Sequence, residues 1–143
     1  MSLLLDRLGQ RIPDLYPEWT EPGTPPPGQP RLLTLERFME EGAPAAAAVL
    51  LPNTANVLSL PASVLACPLL VLDYPAFADG RAYSQARLLS RNGRYSGELR
   101  ARGGAVVYDQ LRMLKICCFT QFLLRADQDD EACSLLLSST ATR

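Results

Sequence analysis

Arginine is concentrated where a loop should feed a helix. The stretch FADGRAYSQARLL, residues 77–89, sets Asp79, Gly80, Arg81 and Arg87 around the start of a helical pattern. GELRARGG, residues 97–104, then adds Arg100 and Arg102, followed by Gly103 and Gly104. From Asp79 to Arg102 six arginines stand against two acids, Asp79 and Glu98, in a chain whose net charge is −1. No lysine falls in that window. A guanidinium is a planar, permanently charged fork that grips a carboxylate, phosphate or sulfur oxyanion by two bonds at once, which an ammonium cannot. Paired glycines at a helix start let an oxyanion approach the backbone N–H groups. These types in this order point to capture of a small oxyanion by Asp79, Gly80, Arg81, Arg87, Arg100, Arg102, Gly103 and Asp109. A structural reading stands beside it. Arg100 and Arg102 alternate on a strand, so a sheet that buries them must pair them, with Asp73, Asp79 or Asp109 as available carboxylates. Arg87, Arg91 and Arg94 are spaced to run along one solvated helix flank.

Histidine is absent. Ser-His-Asp and Cys-His nucleophilic catalysis, His-ligated zinc and proximal-His haem are therefore excluded. Acid–base chemistry would fall to Asp, Glu, Tyr, Cys or Lys115, the only lysine. Cys67, Cys117, Cys118 and Cys133 include no C-x-x-C pair, so zinc-ribbon, iron–sulfur and thioredoxin motifs are missing. The cysteines read as buried, reduced thiols packing as small hydrophobes, with a redox role for vicinal Cys117–Cys118 as the alternative. Gly103–Gly104 is too short for a nucleotide fingerprint, and DQDD, residues 127–130, lacks the glycine and terminal glutamate of a calcium loop. No cofactor is encoded by a recognisable motif, and no bound metal is expected.

The elements that must position these residues read as repeated βα units. AAAAVLL, residues 45–51, is a short apolar run between Pro44 and Pro52, suited to a strand buried on both faces, although its alanines could equally support a helix. PLLVLDY, residues 68–74, is the clearest strand. The helix after it has Asp79 as candidate N-cap, Gly93 as terminator and Ala82, Ala86 and Leu89 as an apolar stripe. GELRARG alternates, with Leu99 and Ala101 on one side and Glu98, Arg100 and Arg102 on the other. A second amphipathic helix follows, striped by Val107, Leu111 and Leu114. FTQFLLR is the next strand, and DQDDEACSLLLSS starts acidic and turns apolar, as a terminal helix should. LERFMEEG suggests a short helix stopped by Gly42, and PASVLAC a helical turn. Strands alternating with helices predict an α/β fold with a small parallel sheet, its strands near 46–51, 69–73, 97–102 and 119–124. In such a sheet the loops leaving the strand ends share one edge, where ligands bind. Both arginine-bearing loops should then open on one mouth, with Arg81 and either Arg100 or Arg102 in one pocket.

The rest of the chain sets bounds. At 143 residues, 48% apolar and 20% charged, it is long and apolar enough for one globular domain. The near-neutral charge gives no reason to expect nucleic acid or an anionic membrane as a partner. The longest apolar run is far short of the roughly 20 residues of a membrane span, and MSLLLDRLGQR is no signal peptide, so the cytoplasm is the expected compartment. Seven of twelve prolines fall within residues 1–30, which predicts a Pro-rich arm over 1–30, a mobile tail with Trp19 packed locally or an arm that Trp19 anchors to the body or to a partner chain, and a single α/β domain over 31–143. With such an arm, a homodimer is a reasonable assembly.

Taken together, FADGRAYSQARLL, GELRARG and DQLRMLKICCFTQF resemble the bacterial domain-of-unknown-function 934 family over about residues 69–125. The pattern F-x-DGR, S-x-A-R-L-L, Y-x-GELRA-x-G and DQL carries the likeness. The family's Asp-Gly-Arg falls on Asp79, Gly80 and Arg81, its Ser-x-Ala-Arg on Ser84, Ala86 and Arg87, its Gly-Glu-Leu-Arg-Ala on Gly97–Ala101, and its Asp-Gln on Asp109 and Gln110. Ala82, Gly104, Cys118 and Thr120 depart from the family's usual residues, and the arginines do not. The resemblance implies a place in assimilatory sulfite reduction, as an accessory protein, an oxidoreductase-associated factor or an oxidoreductase itself. Two functions follow: an accessory factor holding a small oxyanion in the arginine-rich mouth, or a non-enzymatic module docking on sulfite reductase or another sulfur-assimilation protein.

Overall fold

The computed structural model describes residues 3–17 and 30–139. Their centre is a six-stranded sheet: β1 (Leu3–Asp6), β2 (Arg31–Thr34), β3 (Ala47–Leu51), β4 (Leu69–Asp73), β5 (Glu98–Arg102) and β6 (Gln121–Leu124), in the order β1-β6-β5-β4-β3-β2. The ladder from β2 to β6 is parallel throughout, and β1 closes it antiparallel to β6. Five helices connect or follow the strands: α1 (Leu35–Glu40), α2 (Ala62–Leu65), α3 (Arg81–Ser90), α4 (Tyr108–Ile116) and α5 (Asp130–Ser139). The α/β fold and four predicted strands are thus observed, and β4 pairs parallel with β5, as a shared mouth requires.

Each crossover steps to the next strand in the same direction. Right-handed crossovers then deliver every helix to the same face of the sheet. The core follows that rule. Phe38, Val64, Ala82, Ala86, Leu89, Leu111, Leu114, Cys133 and Leu137 from the helices pack in one cluster with Leu33, Val49, Leu70, Leu72, Leu99, Ala101 and Phe122 from alternate strand positions. The intervening positions Leu32, Ala48, Leu69 and Val71 form a second cluster on the other face, with Tyr16 packed against it.

The expected arm over 1–30 requires correction. Leu3–Asp6, assigned to it, are a sheet strand with Leu4 and Leu5 buried. The segment that follows is tied to the domain: Arg7 Nη1 donates to the Lys115 and Phe119 carbonyls at 3.0 and 2.7 Å, near the C-terminus of α4, where a cation is favoured. Asp14 pairs with Arg100, and the Leu32 N–H donates to the Pro17 carbonyl. Leu3–Asp6 therefore belong to the same sheet as the strands from Arg31 onward, and not to an arm. Trp19 and the prolines at 22 and 25–27 lie outside the described residues. Neither β1 nor β2 is among the four predicted strands. The thiol reading needs one change: Cys67, Cys117 and Cys133 are buried, but Cys118 is exposed, in a left-handed turn at φ 78°.

Candidate functional site

The C-terminal ends of β3, β4 and β5 bring Asn53, Asp73 to Arg81, and Arg102 to Gly104 to one edge of the sheet. The turn before α3 is locked from within. Arg81 grips Asp79 side-on, Nε to Oδ1 at 2.8 Å and Nη2 to Oδ2 at 2.7 Å, and the Arg81 N–H also donates to Oδ1. Asn53 Nδ2 donates to the same carboxylate at 2.7 Å, tying the loop after β3 to the loop after β4. These bonds, the guanidinium's first, lower the Asp79 pKa to about 2. Gly80 occupies the N-cap position expected of Asp79, which instead serves the helix from one residue earlier through the Arg81 N–H.

The turn before α4 is tied down from Ala105 onward. The Ala105 N–H donates to the Tyr74 carbonyl, Val106 to Gly103, Val107 to Ala105, and Tyr108 to Gln128 Oε1 at 2.8 Å. Gly103 sits at φ +120°, and a Cβ there would lie 2.4 Å from the Tyr74 carbonyl oxygen, so only glycine lets the two turns nest. Asp109 is exposed in the first turn of α4, a stabilising place for an acid.

Six arginines sort into two groups. In the first, each guanidinium has a carboxylate of this chain: Arg81 has Asp79, Arg102 has Asp73 at 3.7 Å, and Arg100 has Asp14 at 3.1 Å. Arg100 is buried on the sheet face away from the helices, where its Nε also donates to Gln121 Oε1 at 2.9 Å. The alternation of β5 puts Arg100 and Arg102 on that same face. The second group is Arg87 on α3, Arg91 at its C-cap and Arg94 after the kinked turn Arg91–Gly93, all exposed. No ion pair among the described residues engages any of the three.

Residues that the sequence reading left out of the site lie beneath this edge. Tyr83 and Tyr74 both donate to Gln110 Oε1, at 2.7 and 3.2 Å, and their rings meet edge to face at 5.1 Å. Burial, then the Tyr74 hydroxyl, raises the Tyr83 pKa well above the usual phenol range. Gln110 follows Asp109 in the family's Asp-Gln pair, the signal that pointed to it. On the β2 and β3 side, a cavity of about 430 Å³ is lined by Leu35, Met39, Leu50 and Pro52, with Thr34, Glu36 and Asp73 around them. Among the described residues there is no cluster of His, Cys, Asp and Glu able to hold a metal, and no helix is long and apolar enough to cross a membrane. The donors at this edge serve chiefly to hold its loops.

No curated protein and no solved structure matches this chain. The family model described as a bacterial protein of unknown function (DUF934) matches residues 48–142, from β3 through the whole of α5 and so across every loop of this edge. The chain belongs to the DUF934 family.

Proposed function

We propose that this protein is a non-enzymatic docking module of assimilatory sulfite reduction, which binds an acidic surface on a larger partner such as sulfite reductase through Arg87, Arg91 and Arg94. The carrying observation is the sorting of the arginines. Arg81, Arg100 and Arg102 already have carboxylate partners within the chain, while Arg87 on α3 and Arg91 and Arg94 just past its C-terminal end are exposed and have none among the described residues. Exposed charges of one sign attract an oppositely charged face, raise the encounter rate and lose strength with salt. A free oxyanion at Arg81 would have to displace Asp79 from a bidentate pair. The pathway comes from the family resemblance of the Asp-Gly-Arg, Gly-Glu-Leu-Arg-Ala and Asp-Gln stretches.

The test is binding of the full chain to immobilised sulfite reductase over a series of salt concentrations. Wild type should bind more weakly as salt rises. Arg87→Glu/Arg91→Glu/Arg94→Glu should not bind, while keeping the wild-type melting temperature. Unchanged binding by that variant refutes the docking flank. Titration of the wild type with sulfite, sulfate and phosphate at low salt is the companion measurement: binding that Arg81→Ala abolishes without unfolding the chain would restore the oxyanion mouth.

A further inference from the structure

We infer that two copies of this chain associate through the C-terminal edge of the sheet, Phe77 of each inserting into the apolar cavity of the other. Phe77 is a large apolar side chain left 58% exposed, although it lies in a loop fixed on both sides of the insertion point. Behind it, Tyr74 is buried and its backbone is paired with Arg102 and Ala105. Ahead of it, Asp79 is clamped by Arg81 and Asn53. A rigidly presented aromatic is the kind of residue that dominates an interface, because little entropy is lost when it is buried.

The receptor is on the same edge. Pro52 lines the cavity and precedes Asn53, whose side chain holds Asp79, so the cavity and the Phe77 loop are neighbours. Its volume of about 430 Å³ exceeds the roughly 150 Å³ that accommodates a benzene ring. Its walls, Leu35, Met39, Leu50 and Pro52, are apolar. A knob and a hole side by side on one surface satisfy the rule of a two-fold interface, in which residue i meets residue j and j meets i.

Charge fits the same pairing. Glu36 stands at the cavity one helical turn before Met39, and Arg81 stands four residues after Phe77. The side-on grip on Asp79 uses Nε and Nη2 of Arg81, whose side chain is still 57% exposed, which leaves Nη1 to reach the second copy's Glu36 as Phe77 enters. This surface lies at the N-terminal end of α3, whereas Arg91 and Arg94 lie beyond its C-terminal end, so self-association and the docking flank are separate.

The test is sedimentation velocity of the full chain from low micromolar to near-millimolar concentration. A concentration-dependent dimer is expected. Phe77→Asp, which removes the knob, and Met39→Arg, which blocks the hole, should each weaken it by at least about tenfold. Both positions are exposed, and far-ultraviolet circular dichroism should confirm that both variants fold. An equimolar mixture of the two should associate better than either variant alone. One knob and one hole survive in the mixed pair, and the other contact sets an introduced carboxylate against an introduced guanidinium. The Arg87→Glu/Arg91→Glu/Arg94→Glu chain should dimerise like wild type, which separates this result from that of the docking test. A monomer at every concentration overturns the inference. So does a dimer that Phe77→Asp leaves intact, or a mixture that associates no better than its components.

Discussion

Replacing Asp14 by Ala should destabilise the protein more than replacing its partner Arg100 by Met. The reason is an asymmetry of burial. Arg100 is 3% exposed and Asp14 41%, and the pair is joined at 3.1 Å. Without Asp14 the buried guanidinium keeps Gln121 as its acceptor but has no counter-charge. Hydrogen bonds to charged groups contribute about 1.5–3 kcal/mol, and an uncompensated buried charge makes their loss felt in full. Asp14→Ala should therefore cost about 2 kcal/mol, or about 6–8 °C in melting temperature for a chain of this size. Arg100→Met removes the buried charge itself, fills most of the same space with an apolar chain and frees a carboxylate that water already reaches. Its main penalty is the lost donor to Gln121, and the net change should stay within about 1 kcal/mol. The double variant should resemble Arg100→Met alone. Urea unfolding followed by circular dichroism measures all three, with an unchanged slope confirming that the midpoint shift reports stability. Equal losses for the two single variants, or additive losses in the double, would refute the claim that the N-terminal segment is held on the sheet by neutralising Arg100.

Other consequences are directly measurable. Gly103→Ala should lower stability by about 2 kcal/mol or more, since the new Cβ meets the Tyr74 carbonyl at 2.4 Å in a backbone region closed to alanine; urea unfolding at wild-type level would show that the turn yields instead. The Asp79 pKa is depressed in the fold, so its contribution is present above the unfolded value near 4 and is lost as pH falls toward about 2; acid unfolding of Asp79→Asn should lack that component. Burial raises the phenol pKa of both Tyr83 and Tyr95, so these two should stay protonated in the native protein above pH 10, where unfolded tyrosines ionise, and the fold should weaken as pH rises past that point; ultraviolet difference titration reads this. A colorimetric thiol reagent should modify Cys118 quickly and Cys67, Cys117 and Cys133 only on unfolding; two fast thiols would put Cys117 at the surface.

The strands Ala47–Leu51, Leu69–Asp73, Glu98–Arg102 and Gln121–Leu124 were legible because each writes its burial in adjacent residues, as an apolar run or as strict alternation. The stripe of Ala82, Ala86 and Leu89 was legible for the same reason, and all three are buried. The strands Leu3–Asp6 and Arg31–Thr34 were not. Each adjoins proline-rich sequence that reads as extended chain. Leu4 is paired with Leu123, over a hundred positions away, and nothing near Leu4 announces that partner.

The amino-acid sequence by itself determined the βα alternation, the parallel sheet, the absence of histidine chemistry, the family motifs and the gathering of arginine around two loops, because all of these are properties of residue type and short-range order. Only the tertiary structure decided what the arginines do. A guanidinium's role depends on which carboxylate comes within about 4 Å of it, and charge coupling falls with distance in space, not along the chain. Arg81 found its partner two residues back at Asp79, Arg102 found Asp73 on the neighbouring strand, and Arg100 found Asp14 in a segment that the sequence had marked as an arm. Arg87, Arg91 and Arg94 carry the same side chain in the same window and stay exposed, Arg87 on the outer side of α3 and the other two past its C-terminal end.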